Sequence, residues 1–229
     1  MLIENVPAVF QPSYKSDYPG YSSGKNIEEI CYDYFSKECN NIKTNLVYLP
    51  VFWTSYYVIN NYGENIDPLY EWLHKLDKTK KYFTIVQYAS GIYIKEPIHN
   101  LTVFSAGGGG LNIKSNCVRI ERFYNLRRHL FYGNTGDCTI PLICLPSFPY
   151  LNEERNIFCS FMGRFDTHKC RKDMHRLLKN NTNFTFYNSV GFEEYKNILN
   201  RSTFTLAPRG YGYTSFRIYE AILAESIPI

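Results

Sequence analysis

At 229 residues, 45% hydrophobic and 17% aromatic, the chain can bury a core as one large domain or as two smaller ones. A net charge of +4 is too mild to point to DNA or an anionic membrane as the main partner, and it is compatible with an anionic small-molecule ligand. Seven scattered cysteines with no CxxC pair argue against a metal site; with no basic-apolar leader and no run of 18 apolar residues, the chain is expected in a reducing, cytoplasmic setting without a transmembrane segment.

In chain order, a Tyr/Pro-rich irregular start gives way to a helix with Ile27, Ile30, Cys31, Tyr34 and Phe35 on one face and Asn26 as its N-cap. "TNLVYLPVFWT" reads as a buried strand ending at Pro50. "DPLYEWLHKL" reads as a helix opened by Asp67, with Pro68 in its first turn. Strands follow at "KYFTIVQYA", "LTVFSAGGGG", "CVRIERF" and "TIPLICLP"; the glycine run reads as a mobile turn rather than a ligand loop. Trp53, Tyr56 and Tyr57 are either core residues or an aromatic platform for sugar rings, with the core favoured.

Alternation becomes cleaner in the second half. The strands "NIFCSFMG", "NFTFYN" and "TFTLAP" are each followed by a helix, at "HKCRKDMHRLLKN", "FEEYKNILNRS" and "SFRIYEAILAE". The final "IPI" opens another strand, so the C-terminal domain is expected to be incomplete at Ile229. The expected class is α/β with parallel strands, divided into domains 1–150 and 151–229 at the proline-bearing segment 146–152. One basic helix is too short a footprint for nucleic acid, and none is expected.

The stretch "LAPRGYGYTSFRIYE" carries the chemistry. In open α/β sheets ligands sit beyond the carboxyl ends of strands, so Arg209, directly after a strand, should face that crevice. Gly210 and Gly212 allow a close approach of backbone. Ser215 or Thr214 caps the next helix, whose free N–H groups and positive dipole end favour an anion. At 100° per residue, Phe216, Ile218, Tyr219, Ile222, Leu223 and Ser226 share a broad side, leaving Arg217, Glu220, Ala221 and Ala224 a narrow face. That face is open for something flat, with Glu220 accepting from ribose hydroxyls; alternatively, Arg217 and Glu220 form an ordinary ion pair.

"FTLAPRGYGYTSFRIYEAILAESIPI" resembles the signature of exostosin-type glycosyltransferases (glycosyltransferase family 47), with Arg209, Gly210, Ser215, Phe216, Arg217, Glu220, Ala221, Ile227 and Pro228 on the pattern. "FMGRFDTHKCRK" is similar to the family's F-x-G loop and basic helix, placing Gly163 and Arg171, and "GDCTIPL" is similar to its K-D-x-x-x-P segment, placing Asp137 and Pro141. "YLPVFWTSYYVINNYG" resembles the N-terminal segment of short microbial and viral members.

The resemblance implies two Rossmann-like domains facing a cleft (GT-B), the C-terminal one for a nucleotide-sugar and the N-terminal one for a glycan or glycoconjugate acceptor. It implies an inverting, metal-independent glycosyltransferase, hexosyl- or pentosyl-, with no cofactor beyond the donor. Arg209 and the helix at Ser215 would hold the leaving diphosphate, assisted by Arg164, Lys169 and Arg171. Inversion needs a base for the acceptor hydroxyl. After "YFTIVQYASG" an acidic residue is expected, but Ala89 and Ser90 stand there, which leaves Asp137, Asp166 and His168 as candidates. The competing expectation is a catalytically inactive carbohydrate- or nucleotide-binding module.

Overall fold

Every strand pairing among the described residues is parallel, as α/β alternation requires. The structure is a computed structural model and describes residues 1–12, 25–89, 91–113, 138–143 and 153–229. The segment "CVRIERF", the junction at 146–152, Ser90 and Asp137 lie outside the described residues. The chain divides into two compact units, Met1–Pro141 and Leu142–Ile229.

In the first unit, β1 (Leu2–Ile3), β2 (Leu46–Tyr48), β3 (Lys81–Val86), β5 (Leu101–Ser105) and β7 (Cys138–Thr139) form a sheet in the order β1-β2-β3-β5-β7. The order simply follows the chain. β4 (Ile92–Ile94) and β6 (Leu111–Ile113) pair separately as a two-stranded ribbon that sequence reading did not anticipate. Three helices accompany the sheet: α1 (Ile27–Glu38), α2 (Trp53–Ile59) and α3 (Asp67–Leu73). Asn26 caps α1 in a capping box, its N–H donating to Glu29 Oε2 at 2.9 Å. Pro68 occupies the first turn of α3, where its missing N–H costs nothing.

Three expectations about this unit are corrected. The strand across "TNLVYLPVFWT" ends at Tyr48, and its aromatic tail begins α2 instead. That run is weak in helix propensity; burial overrides it, since Trp53, Tyr56 and Tyr57 are all core residues, and Trp53 Nε1 donates to Thr84 Oγ1 at 2.7 Å. They are therefore no exposed platform for sugars. The buried face of α1 is also rotated from the expected one: Tyr34 is exposed, whereas Glu28 is 1% exposed. The glycine run is no free turn. A Cβ at Gly107 would overlap Gln87 O, and one at Gly109 would overlap Gly91 N, so backbone packs on backbone there.

In the second unit, β8 (Ile157–Met162), β9 (Phe184–Tyr187), β10 (Ser202–Thr205) and β11 (Ile227–Pro228) lie in the order β11-β10-β8-β9. Between them run α4 (Lys169–Leu178), α5 (Phe192–Arg201) and α6 (Phe216–Leu223). The chain goes from β8 outward to β9, then returns across β8 to β10 and β11, so the order reverses between β8 and β10. Alternation along β8 feeds two cores. Cys159 and Phe161 pack with Met174 and Leu178 of α4. Met162 packs with Tyr195, Ile198 and Leu199 of α5 and with Ala224. The sheet is thus covered on both faces, as a doubly wound fold requires.

Candidate functional site

The reversal fixes where loops can gather. At such a point two neighbouring strands send their following helices to opposite faces of the sheet, leaving a crevice beyond their carboxyl ends. Here the flanking loops are Gly163–His168, leading from β8 to α4, and Leu206–Ser215, leading from β10 to α6. Arg209, Gly210, Gly212, Thr214 and Ser215 lie on the second loop, and Gly163, Arg164, Asp166 and His168 on the first.

Ser215 is the N-cap of α6, its Oγ accepting from Arg217 N–H at 3.3 Å. Arg209 sits just upstream, half-buried, its guanidinium 4.3 Å from the ring centroid of Tyr213. Arg209 Nε is buried with no hydrogen-bond partner, and no carboxylate among the described residues pairs with this arginine. Across the reversal, Thr167 Oγ1 is a second buried polar atom without a partner. Sequence reading passed over Thr167, which sits between two of the base candidates, Asp166 and His168. Buried donors and acceptors are nearly always satisfied in proteins, so each of these two loops carries one buried polar atom with a hydrogen bond still to make.

The other arginines are spent on the protein itself. Arg171, 6% exposed, donates from Nε to Arg209 O (2.9 Å), from Nη1 to Arg164 O (3.1 Å) and from Nη2 to Pro208 O (3.2 Å). Arg217 donates from Nε to Met162 O at 2.6 Å. Both guanidiniums lie over Phe161, at 5.6 and 5.1 Å from its centroid. These contacts explain two glycines. A Cβ on Gly163, whose φ is +140°, would overlap Arg217 Nη2, and one on Gly210 would come within 2.9 Å of Arg171 Nη2. Both glycines make room for guanidiniums of the chain.

α6 turns the opposite way from expectation. Glu220, Ala221 and Ala224 are buried, while Ile222 and Leu223 are exposed; the small alanines let the helix approach the sheet closely. Glu220 Oε2 accepts from Tyr195 O–H at 2.5 Å, and Oε1 is buried without a partner. Burial raises the pKa of this carboxyl, against the Tyr195 hydrogen bond and the nearby Arg217 charge. At 3% exposed, it has no open oxygen for ribose hydroxyls. The expected ribose role is corrected to a packing one.

Two of the three base candidates are engaged elsewhere. Asp166 accepts from Arg164 Nε (3.0 Å) and Nη2 (2.6 Å), and this pairing holds its pKa below the usual carboxylate range. His168 caps α4, its Nδ1 accepting from Cys170 N–H at 3.2 Å with the Cys170 thiol 3.1 Å away, which puts the proton of the neutral ring on Nε2. Asp137 lies outside the described residues. Among the described residues, no cluster of His, Cys, Asp or Glu could hold a metal ion, and no helix is long and apolar enough to cross a membrane.

No match to the chain is found among curated proteins. The family model of the exostosin GT47 domain matches residues 143–229, a span holding both loops of the reversal and every strand of the second unit. The second unit is thereby an exostosin-like domain of glycosyltransferase family 47.

Proposed function

We propose that the chain is an inverting, metal-independent glycosyltransferase that takes a sugar from a nucleoside-diphosphate sugar. The observation that carries this reading is the strand-order reversal in the second unit, with Arg209 and the N-terminus of α6 on the loop leaving β10. A leaving diphosphate needs charge neutralisation as the glycosidic bond to it breaks. Without a divalent ion, a guanidinium and free helix N–H groups are what a protein can supply. In this reading Arg209 is the direct cation, Thr214 and Ser215 present the helix terminus, and Gly212 keeps the loop slim. Arg164 assists from the facing loop, although Asp166 must share it.

The rest of the reading rests on the family. The first unit would carry the acceptor, a glycan or glycoconjugate, in a GT-B arrangement in the cytoplasm, and the transferred sugar would be a hexose or a pentose. The base is open. With Asp166 ion-paired and His168 committed as a cap, Asp137 is the carboxylate left among the three. That same engagement favours one competing reading, a domain that binds a nucleotide-sugar without transferring it.

Turnover and donor hydrolysis across UDP-, GDP- and CMP-sugars decide between them. The enzyme reading expects turnover with one donor class and its loss in Arg209→Ala with the fold intact. Binding without turnover across the panel supports the silent module, and an Arg209→Ala variant as active as the parent rejects the donor site.

A further inference from the structure

Resting on the donor-site reading above, we propose that Arg171 is a positioning residue: it fixes the backbone from which Arg209 meets the diphosphate and does not itself bind the donor. Three of its N–H groups reach three carbonyls on both sides of the strand-order reversal, Arg164 O on one loop and Pro208 O and Arg209 O on the other. One side chain therefore ties the two loops together, and one of its anchors is the carbonyl of Arg209. The guanidinium is held in place by the Phe161 ring and fits because residue 210 is glycine. Arg209 contrasts with it: its Nε is unpartnered, and its guanidinium lies over the ring of Tyr213, which is 52% exposed. The two arginines divide the work, one facing the backbone and one facing the crevice.

The fork is essential to this division. A guanidinium presents donors in a fixed plane that can meet several carbonyls at once, whereas an ammonium keeps the charge but offers a single point. Lysine at 171 would thus preserve a direct electrostatic ligand while breaking a clamp. Double substitution separates the roles as well. If Arg171 acts only through Arg209, its removal costs nothing further once Arg209 is gone; independent ligands would give multiplying losses.

The test is calorimetric titration of the full chain with inorganic pyrophosphate and with UDP, for Arg171→Lys, Arg171→Ala, Arg209→Ala and the double variant Arg171→Ala/Arg209→Ala. Amide hydrogen exchange of residues 208–212 without ligand is measured alongside. Losing the oriented charge-assisted bonds should weaken binding about tenfold in each single variant. The double variant is expected to bind no more weakly than Arg209→Ala, and Arg171→Lys to exchange faster at 208–212. Binding by Arg171→Lys equal to the parent, or a double variant weaker by the product of the single losses, overturns the proposal. Should Arg171→Ala fail to fold, Arg171→Lys decides alone. A parent chain that binds neither probe, or an Arg209→Ala variant that binds like the parent, overturns the donor-site reading. The exchange rates then judge the clamp by themselves, and unchanged exchange in Arg171→Lys rejects it.

Discussion

The two units solve the same problem at their strand ends in opposite ways. Parallel sheets point helix N-termini, with their unsatisfied N–H groups, toward the carboxyl ends of the strands. The first unit fills that space with its own carboxylate. Glu28 Oε1 accepts from Thr54 N (3.2 Å) and Thr54 Oγ1 (2.6 Å) at the start of α2, and from Gln87 N (3.0 Å) just past β3. Gln87 Oε1 in turn accepts from Ile27 N at 2.8 Å, and its Nε2 donates to Asn26 Oδ1 at 3.2 Å. In the second unit the strand order reverses and one of the corresponding loops carries Arg209; buried polar atoms without a partner occur in both units, Glu28 Oε2 and Ser105 Oγ in the first, Arg209 Nε and Thr167 Oγ1 in the second. An internal carboxyl group closes one set of strand ends, while the other set carries an arginine side chain with no acceptor among the described residues. The parallel α/β plan is shared, and strand order together with the chemistry of the nearby side chain sets the difference.

The sharpest way to break this comparison is in the first unit's core. Trp53→Ala should destabilise it by about 4 kcal/mol, the loss expected when a buried tryptophan leaves a cavity. Both tryptophans, Trp53 and Trp72, lie in this unit, so Trp72 fluorescence in a urea titration reports its unfolding. A shift of only a few tenths of a kcal/mol would return Trp53 to the surface. Glu28→Ala is next, at about 3 kcal/mol, because three donors lose their acceptor in a dry interior. Gly163→Ala strains the second unit by about 2 kcal/mol, through its positive φ and the overlap with Arg217, and circular dichroism melts should register it.

A pH series sharpens the contrast further. Burial raises the pKa of Glu28 in the folded state, against its hydrogen bonds from Thr54 and Gln87, and burial likewise raises those of Glu29 and Glu220. A raised folded-state pKa means that the protonated form is the better folded one. Their stabilising contribution is therefore complete below the ordinary carboxyl value of about 4.3 and is lost as pH rises through the folded-state values. Glu28→Gln should flatten that decline over the same interval in urea titrations, while a slope identical to the parent's would remove Glu28 from the account. The smallest effect on stability belongs to Arg209→Ala, within about 0.5 kcal/mol, since no hydrogen bond holds its guanidinium. A large loss there would mean that the second unit uses this side chain for its own packing, as the first uses Glu28.

What could be read in advance follows the range of the interactions. The second unit's alternation of strands and helices, the Asn26 and Ser215 caps and the Pro68 helix start are local signals, and each was legible. α2 was not, because aromatic and β-branched residues from Trp53 to Ile59 favour strand locally and burial decides otherwise. Glu28 sits in a helix first turn, an ordinary place for an acid; its burial depends on Thr54 and Gln87, 26 and 59 residues away. Arg171 did leave a trace. It shares a stripe with Met174 and Leu178 at i+3 and i+7, both partly buried against the core, so a charge on an apolar face was visible. The face of α6 differs from expectation for a related reason: bulky side chains suggest the interior, yet the buried side carries the small residues.

Because the Arg171 latch grasps carbonyl oxygens, which every amino acid possesses, it is blind to side-chain identity at positions 164, 208 and 209. Exposed residues beside it, such as Tyr211, can then be exchanged without loosening the tie beneath them, whereas Gly210 cannot. The scaffold thereby separates holding from choosing, and selectivity could be rewritten at the rim while the grip beneath it stays the same.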